Sequence, residues 1–84
     1  MWYLYILRCG DGTFYTGITT DVERRLEEHR QGRGAKYTRG RGPLELAYQE
    51  KCETHSEALK REYAVKQLSR EEKEQLIDSK SAPG

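Results

Sequence analysis

Five side chains of this sequence have the types that phosphoryl chemistry uses: Tyr5, Tyr15, Arg25, His29 and Glu62. A carboxylate can hold a divalent cation, and a guanidinium neutralises phosphate charge through paired hydrogen bonds. A phenol can position or deprotonate a water molecule, although its ordinary pKa of about 10 makes it a weak base without help from a metal or an arginine. The set indicates phosphate-ester hydrolysis, provided that the fold brings these side chains together.

A glycine-rich turn at residues 9–13 decides whether the two tyrosines meet. A two-residue loop puts Tyr5 and Tyr15 on opposite faces of a hairpin, whereas a loop of three or five residues pairs Tyr5 with Gly17 and puts both tyrosines on one face. The glycines on either side of Asp11 favour the odd loop, because a three-residue hairpin needs a left-handed position that glycine adopts at low cost. We therefore expect a shared face.

The first helix carries a positive charge on its apolar side. Its inward stripe runs through Val22, Leu26 and His29 with helical spacing, and Arg25 falls on that stripe. An arginine whose stem lies along the edge of the core explains this equally well, and a hydrogen-bonded histidine at the core margin explains His29. The residues alone leave both interpretations open.

The second helix carries a negative charge on its apolar side. Glu62 lies within an apolar arc formed by Ala58, Leu59, Tyr63 and Val65. A carboxylate there is costly unless it is paired or binds a cation. A structural ion pair with Arg25, or with Lys66 one turn later, is the alternative to a metal site.

The elements that position these residues follow from periodicity and from helix-start signals. Capping boxes begin at Thr20, Thr54 and Ser69, and Gly32 ends the first helix. We predict strands at residues 2–8, 14–19 and 44–50, and helices at 21–31, 54–68 and 69–77. The expected fold is α+β, with a three-stranded antiparallel sheet flanked by helices in the order β-β-α-β-α-α. One domain at 1–78 and a flexible tail at 79–84 complete the prediction.

Bulk properties exclude several classes of function. The 84 residues suffice for one domain, and a net charge of +1 gives no global attraction to a polyanion. Cys9 and Cys52 are single and widely spaced, which excludes a zinc constellation and indicates reduced thiols. No signal peptide or membrane span is present, so we expect a cytoplasmic protein without a membrane partner.

The segment 30–41 is a glycine-studded loop with basic side chains and no acidic one. Its candidate phosphate contacts are Arg33, Lys36, Arg39 and Arg41, and Tyr37 can stack on an unpaired base. A flexible, solvated loop is the alternative. No recognition helix is available for reading base sequence, so we expect contact with the backbone or shape of DNA.

The ordered series of motifs resembles the GIY-YIG nuclease superfamily, and most closely its small single-domain bacterial members. Tyr3-Leu4-Tyr5 corresponds to the first signature, and Tyr15-Thr16-Gly17 to the second. The segments 17–29, 34–44 and 56–62 correspond to the helix, loop and second helix that follow in that family. The resemblance extends from about residue 2 to about residue 77.

The resemblance implies a role for each candidate residue. Tyr5 and Tyr15 take the places of the signature tyrosines, one of which activates the attacking water. Arg25 matches the catalytic arginine, Glu62 the metal-binding glutamate, and His29 a position near the scissile phosphate. Gly17 matches the glycine of the second signature, where a side chain would crowd the site.

The activity implied by the resemblance is endonucleolytic hydrolysis of DNA with one divalent cation, magnesium or manganese, in repair or recombination. We assume a monomer. The first signature lacks its glycine, and the chain contains no asparagine, so the asparagine contact of some relatives is absent or replaced. Two alternatives stay open: a nucleic-acid-binding module without catalysis, and an interaction domain in which Arg25 and Glu62 form a structural pair.

Overall fold

The chain folds into three strands and three helices in the predicted order, and the architecture is α+β. The structure is a computed structural model that describes residues 1–81. A short 3-10 helix, Lys36–Thr38, interrupts the basic loop. The elements are β1 Trp2–Arg8, β2 Phe14–Thr19, α1 Val22–Arg30, β3 Glu45–Cys52, α2 His55–Lys66 and α3 Arg70–Ser81.

The sheet has the order β2-β1-β3, and both pairings are antiparallel. Tyr5 pairs with Gly17 and Leu7 pairs with Tyr15, which is the register that the odd loop predicts. The turn closes with hydrogen bonds from Cys9 N to Thr13 O at 2.8 Å and from Gly12 N to Cys9 O at 2.9 Å. Gly12 has a φ of 86°, so the left-handed position of the turn is filled by a residue without a Cβ. The predicted shared face is confirmed.

Alternate residues of β1 face two different layers of helix. Leu4 and Ile6 are fully buried against Val65 of α2 and Ile77 of α3. Tyr5 and its neighbours on the other side pack against α1, where Val22 is buried. Burying one leucine or isoleucine side chain contributes about 1.5–3 kcal/mol, so the helical layers stabilise the sheet from both sides.

The helix starts confirm two of the three predicted caps and correct the third. Thr54 Oγ1 accepts from Glu57 N at 3.1 Å, and Ser69 Oγ accepts from Glu72 N at 3.1 Å. The first helix is capped by Asp21, whose Oδ1 accepts from Arg24 N at 3.1 Å, and not by Thr20. An aspartate also favours the positive end of the helix dipole, which explains why it takes the cap position.

The apolar side predicted for α2 was wrong at two positions. Leu59 is 45% exposed and Tyr63 is 70% exposed, whereas Ala58 and Val65 are fully buried. The inward stripe follows the i, i+4, i+7 spacing through Ala58, Glu62 and Val65. Leu59 and Tyr63 each come one residue later, about 100° around the helix, and therefore face outward.

The last helix is longer than predicted, since α3 ends at Ser81 and not near Ile77. No glycine or proline follows Ile77 before residue 83, so nothing in the sequence breaks the helix at the predicted point. Part of the predicted tail is therefore helical, and residues 82–84 lie outside the described residues. The helices of residues 1–81 include none with the length and apolar character needed to cross a membrane.

Candidate active site

Tyr5 lies at the centre of the site on the α1 face of the sheet. Only 2% of its surface is exposed, and its hydroxyl oxygen lies 2.9 Å from His29 Nε2. The ring of Tyr15 is half-buried beside it, with centroids 6.3 Å apart, and lies 5.2 Å from the ring of His29. Three of the predicted residues, from β1, β2 and α1, are therefore in contact.

His29 is buried between Tyr5 and the basic loop. Its other ring nitrogen, Nδ1, lies 2.9 Å from Thr38 Oγ1, and the Thr38 hydroxyl donates to Ala35 O at 2.9 Å. Burial, and secondarily the positive charge of Arg25, hold the pKa of His29 below its usual range, so the ring is neutral at pH 7 and carries one proton. Ala35 N also lies 3.3 Å from Nδ1.

One tautomer satisfies all three of the 2.9 Å contacts. With the proton on Nδ1, His29 donates to Thr38 Oγ1, whose own proton goes to Ala35 O, and Nε2 accepts from the Tyr5 hydroxyl. The other tautomer satisfies the longer Ala35 N contact and gives up the bond from Thr38 to Ala35 O. The Ala35 N–H donates to Nδ1, and Ala35 O also accepts from Thr38 N at 3.1 Å, so in either tautomer Tyr5 is held by a hydrogen-bond chain that runs through His29 to Thr38.

Thr38 is a site residue that sequence reasoning missed. It is 2% exposed and lies in the 3-10 helix of a segment that the sequence indicates to be a loop without buried residues. A signal was present, because a buried histidine needs partners for both ring nitrogens and a threonine in a nearby loop can supply one. The choice of Thr38 depends on how the loop folds back over α1, which periodicity does not report.

Arg25 lies on the inward side of α1, as predicted. Its Nη1 donates to Glu28 Oε1 at 3.0 Å, and its side chain is 34% exposed. Burial raises the pKa of Tyr5 to about 12, while Arg25 acts in the opposite direction because its charge favours the phenolate. The guanidinium thus lies close to the Tyr5 hydroxyl and retains donors that Glu28 does not use.

Glu62 is on the inward stripe of α2, with a side chain that is 21% exposed. Its Oε2 lies 3.3 Å from Lys66 Nζ, one helical turn later. Its negative charge contributes to the raised pKa of Tyr5, which puts the carboxylate within electrostatic range of the site. Arg25 bonds Glu28 and Glu62 bonds Lys66, so the structural Arg25–Glu62 pair is not formed in the described part of the chain.

Gly17 and Gly34 lack a Cβ and therefore leave room for the side chains of the site. A Cβ on Gly17 would lie 2.7 Å from the Tyr5 hydroxyl and 3.2 Å from Tyr15 Cε2, so a side chain there would force the tyrosines to move. The crowding predicted at Gly17 is thus present. A Cβ on Gly34 would lie 2.2 Å from His29 Nδ1, so Gly34 allows the basic loop to pass over His29.

The basic loop is attached to the site through Tyr37 and Arg41. The Tyr37 ring stacks on Tyr15, with centroids 5.9 Å apart and planes at 29°, and the Arg41 guanidinium lies 4.3 Å above Tyr37. Arg41 also forms an ion pair with Asp11 in the hairpin turn, and Gly10 N donates to Arg41 O at 2.6 Å. This end of the loop is therefore anchored, and the interpretation as a wholly flexible loop does not hold.

The other three predicted phosphate contacts are further from the tyrosines. Arg39 Nε donates to Gly32 O at 3.1 Å, Arg33 donates to the side chain of Gln31, and Lys36 is exposed. None of these three pairs with an acidic side chain among residues 1–81, unlike Arg41. The structure therefore brings Tyr37 and Arg41 to the site and leaves Arg33, Lys36 and Arg39 on the outer surface of the loop.

These features define a class: a small α+β domain built like the catalytic domain of a nuclease. Residues 1–75 match the GIY-YIG catalytic domain. The chain is 57% identical over 77 residues to the UPF0213 protein VNG_2274C of Halobacterium salinarum, a match that covers 92% of this chain and 100% of the relative.

Two solved structures have the same fold. The solution NMR structure of the UPF0213 protein BH0048 from Bacillus halodurans is 54% identical with a TM-score of 0.63, covering 99% of this chain and 89% of that one. The solution NMR structure of EF2693 from E. faecalis is 49% identical with a TM-score of 0.66, covering 98% and 88%.

The chain therefore belongs to the GIY-YIG family, whose catalytic domains are those of endonucleases. The resemblance drawn from the ordered series of motifs is confirmed, and it extends beyond bacteria, since the UPF0213 relatives include archaeal proteins.

Proposed function

We propose that this protein is a metal-dependent endonuclease that hydrolyses phosphodiester bonds in DNA. The observation that carries the proposal is the position of Arg25, whose guanidinium lies close to Tyr5, on the sheet face that Tyr5 shares with Tyr15, and is only partly neutralised by Glu28. A phosphodiester in that place would accept hydrogen bonds from the free N–H groups of Arg25 as negative charge develops on its oxygens. Membership of the family supports the reaction class.

Tyr15 is the better candidate for contact with the attacking water. Tyr5 is 2% exposed, and its pKa of about 12 adds about 3 kcal/mol to the cost of ionising the phenol. The half-buried ring of Tyr15 lies at the open side of the site, next to Tyr37. We assign water positioning to Tyr15, and we infer that Tyr5 stays protonated and packs under the reacting phosphate.

His29 acts through Tyr5 in this proposal. Both of its ring nitrogens are engaged, by Tyr5 and by Thr38, and its surface is 2% exposed. The hydrogen bond between a neutral His29 and Tyr5 keeps the phenol in one orientation. It is a positioning residue, whereas family resemblance alone would put it near the scissile phosphate.

The residues present fit a magnesium-type cation and not a zinc centre. In the described part of the chain no group of three or more His, Cys, Asp or Glu side chains can hold a metal together, so Glu62 is a single carboxylate ligand. Magnesium keeps several waters and commonly binds through one or two carboxylates plus substrate phosphates. Lys66 Nζ, 3.3 Å from Glu62, already provides a positive charge there. A cation held by Glu62 would neutralise charge on the phosphate and leaving oxygen.

The substrate we infer is DNA recognised through its backbone or shape, and we assign the activity to repair or recombination. The basic loop presents Arg33, Lys36 and Arg39 outward, where phosphates can reach them. Cations on a glycine-rich loop can contact phosphates without reading base edges, which supports backbone contact over base reading.

The test is a cleavage assay on duplex, flap, branched and single-stranded DNA, with magnesium and with chelator. We expect cleavage of at least one substrate with magnesium and none with chelator, and a loss of about 100-fold or more in Glu62→Gln. Glu57→Gln, on an exposed turn of the same helix, is the matched control and should retain activity. Salt-dependent binding without cleavage of any substrate would instead support the non-catalytic binding module and rule out the endonuclease.

A further inference from the structure

A basic depression lies along the free edge of the sheet, next to the active site, with which it shares Tyr15 and Tyr37. β2 is an edge strand, because the sheet order is β2-β1-β3. The depression has a volume of about 260 Å³. Its described lining residues are Phe14, Tyr15, Thr16, Tyr37, Lys66 and Lys73.

Lys73 of α3 is the residue that most needs a ligand here. It is half-buried, and no acidic side chain among residues 1–81 forms an ion pair with it. The neighbouring cation on the same helix, Arg70, is paired with Glu74. Because this ammonium has no ion-pair partner in that part of the chain, it is available for a charge-assisted hydrogen bond to an anion in the depression.

The depression has only positive charge on its described walls. Lys66 enters it from α2, and its single acidic partner, Glu62, is not among the lining residues. Arg70 lies just beyond, with its guanidinium 5.3 Å from the centre of the Phe14 ring. Cations from two helices therefore face one strand edge, which is a pattern suited to an extended anion.

Tyr15 connects this depression to the active site. Its ring belongs to the Tyr5–His29 cluster, and it also lines the depression together with Tyr37, on which it stacks at 5.9 Å. Tyr37 is 43% exposed and carries Arg41 on its other side at 4.3 Å. Aromatic rings beside a basic groove are the usual means of holding a nucleic-acid strand, since bases stack while phosphates meet cations.

We propose that the β2 edge, with Lys73 and Lys66, binds the backbone phosphates that follow the scissile phosphate on the same nucleic-acid strand. This inference rests on the proposed function, because it places the strand relative to Arg25 and Tyr15. The strand leaves the reacting phosphate past Tyr15 and Tyr37, and its next phosphates lie against the lysines of α2 and α3. The substrate is thus held on two sides of the tyrosine stack, by the basic loop and by the β2 edge.

The experiment is fluorescence anisotropy with labelled duplex and single-stranded DNA of one sequence, in chelator, over a series of salt concentrations. The variants are Lys73→Gln, Lys73→Arg and Lys51→Gln. Lys51 is exposed on β3, the opposite edge of the sheet, so its substitution removes the same charge from a surface that the proposal leaves unused. Thermal melting of each variant checks that the fold is retained.

We expect Lys73→Gln to weaken binding about fivefold and to reduce the slope of log affinity against log salt by about 0.9 on duplex, or about 0.7 on single strands. Lys73→Arg should restore both, and Lys51→Gln should match the wild type. Equal behaviour of Lys73→Gln and Lys51→Gln would overturn the β2-edge site and leave the endonuclease proposal intact.

Two further outcomes matter. The first distinguishes binding of a DNA strand from binding of a small phosphate compound, and the second tests the proposed function itself. A labelled mononucleotide that binds wild type as tightly as the DNA, and loses affinity equally in Lys73→Gln, would show a small-molecule phosphate site and overturn strand binding. Wild-type protein that binds no nucleic acid at any salt concentration would overturn the proposed function itself, and the β2-edge site with it.

Discussion

The two faces of the sheet are built from alternate residues of the same strand, and they bury different chemistry. On the α2 and α3 side, Leu4 and Ile6 meet Val65 in an apolar core. On the α1 side, Tyr5 and His29 are as deeply buried, yet their contacts are polar and continue through Thr38 to the backbone. Both faces of the sheet are buried, but the polar side chains on the α1 side need hydrogen-bond partners, whereas the apolar side chains on the other side do not.

The two faces have different roles in this chain of 84 residues. Apolar burial is insensitive to small changes in angle, so the α2 and α3 side can provide stability with few constraints. Buried polar groups stabilise only when each one is paired, and in return they hold donors and acceptors in fixed directions. The α1 side therefore provides orientation, and it depends on the opposite side for stability.

The largest effect should come from the apolar face. Leu4→Ala removes a fully buried side chain, and we expect the free energy of unfolding to fall by about 2–5 kcal/mol. Urea denaturation measures it, and Leu59→Ala, at a position that is 45% exposed, should change stability by about 0.5 kcal/mol or less. Equal losses in the two variants would contradict the assignment of the core.

In contrast to Leu4→Ala, Arg25→Ala should cause a large loss of activity and little loss of stability. We expect the cleavage rate to fall about 100-fold or more, because a donor to the developing charge is removed. Its ion pair with Glu28 is partly exposed, so stability should change by about 1 kcal/mol or less. Arg24→Ala, the exposed neighbour, is the control for charge. Full activity in Arg25→Ala would remove this arginine from the mechanism.

Substitutions of the two tyrosines should have different effects: Tyr5→Phe should lower stability, and Tyr15→Phe should lower the cleavage rate. Tyr5→Phe leaves His29 Nε2 buried without its hydrogen-bond partner, and we expect a loss of about 1–3 kcal/mol in unfolding free energy. Tyr15→Phe should leave stability nearly unchanged and lower the cleavage rate about 10-fold or more. Denaturation and cleavage assays on both variants measure the two effects. A stable Tyr5→Phe would show that the hydrogen-bond chain is not maintained in solution.

The smallest effect is a pH dependence of stability that belongs to His29. Its pKa is lowered in the folded protein, mainly by burial and further by Arg25, so protonation favours the unfolded chain. Stability from this residue is therefore complete above the unfolded pKa of about 6.5 and declines as pH falls through and below that value. Denaturation between pH 7.5 and 5 should show this decline.

Two variants assign that decline to one residue. His29→Gln should flatten the pH dependence whatever its effect on overall stability, because the titrating group is gone. His55→Gln should leave the decline as in the wild type, since His55 lies in the first turn of α2, outside the cluster. A decline that disappears in His55→Gln and persists in His29→Gln would refute the buried, neutral state of His29.

Much of the fold and half of the candidate site can be predicted from the amino-acid sequence. Alternation in β1 and β2 defines the strands, and the two glycines around Asp11 define the odd loop, so the shared face of Tyr5 and Tyr15 follows from local chemistry. Charges at Arg25 and Glu62 stand out because each interrupts a stripe of helical period, and the structure places both on the inward side.

Local patterns failed where a choice depended on partners distant in sequence. Leu59 and Tyr63 look like core residues of α2, but the sheet determines which stripe faces inward, and it selects the one that contains Glu62. Likewise, no periodicity in the segment 30–41 marks Thr38 as buried, because its burial comes from the loop closing over α1.

The sequence by itself determined the strand register, the helix starts at Thr54 and Ser69, the family, and the residue types available for catalysis. All of these depend on interactions a few residues apart or on ordered motifs. Only the tertiary structure decided that Tyr5 is locked by His29 and Thr38, that Arg25 and Glu62 have separate partners, and that Lys73 faces the β2 edge. These depend on which surfaces meet when the sheet, helices and loop pack together, and no local spacing encodes that.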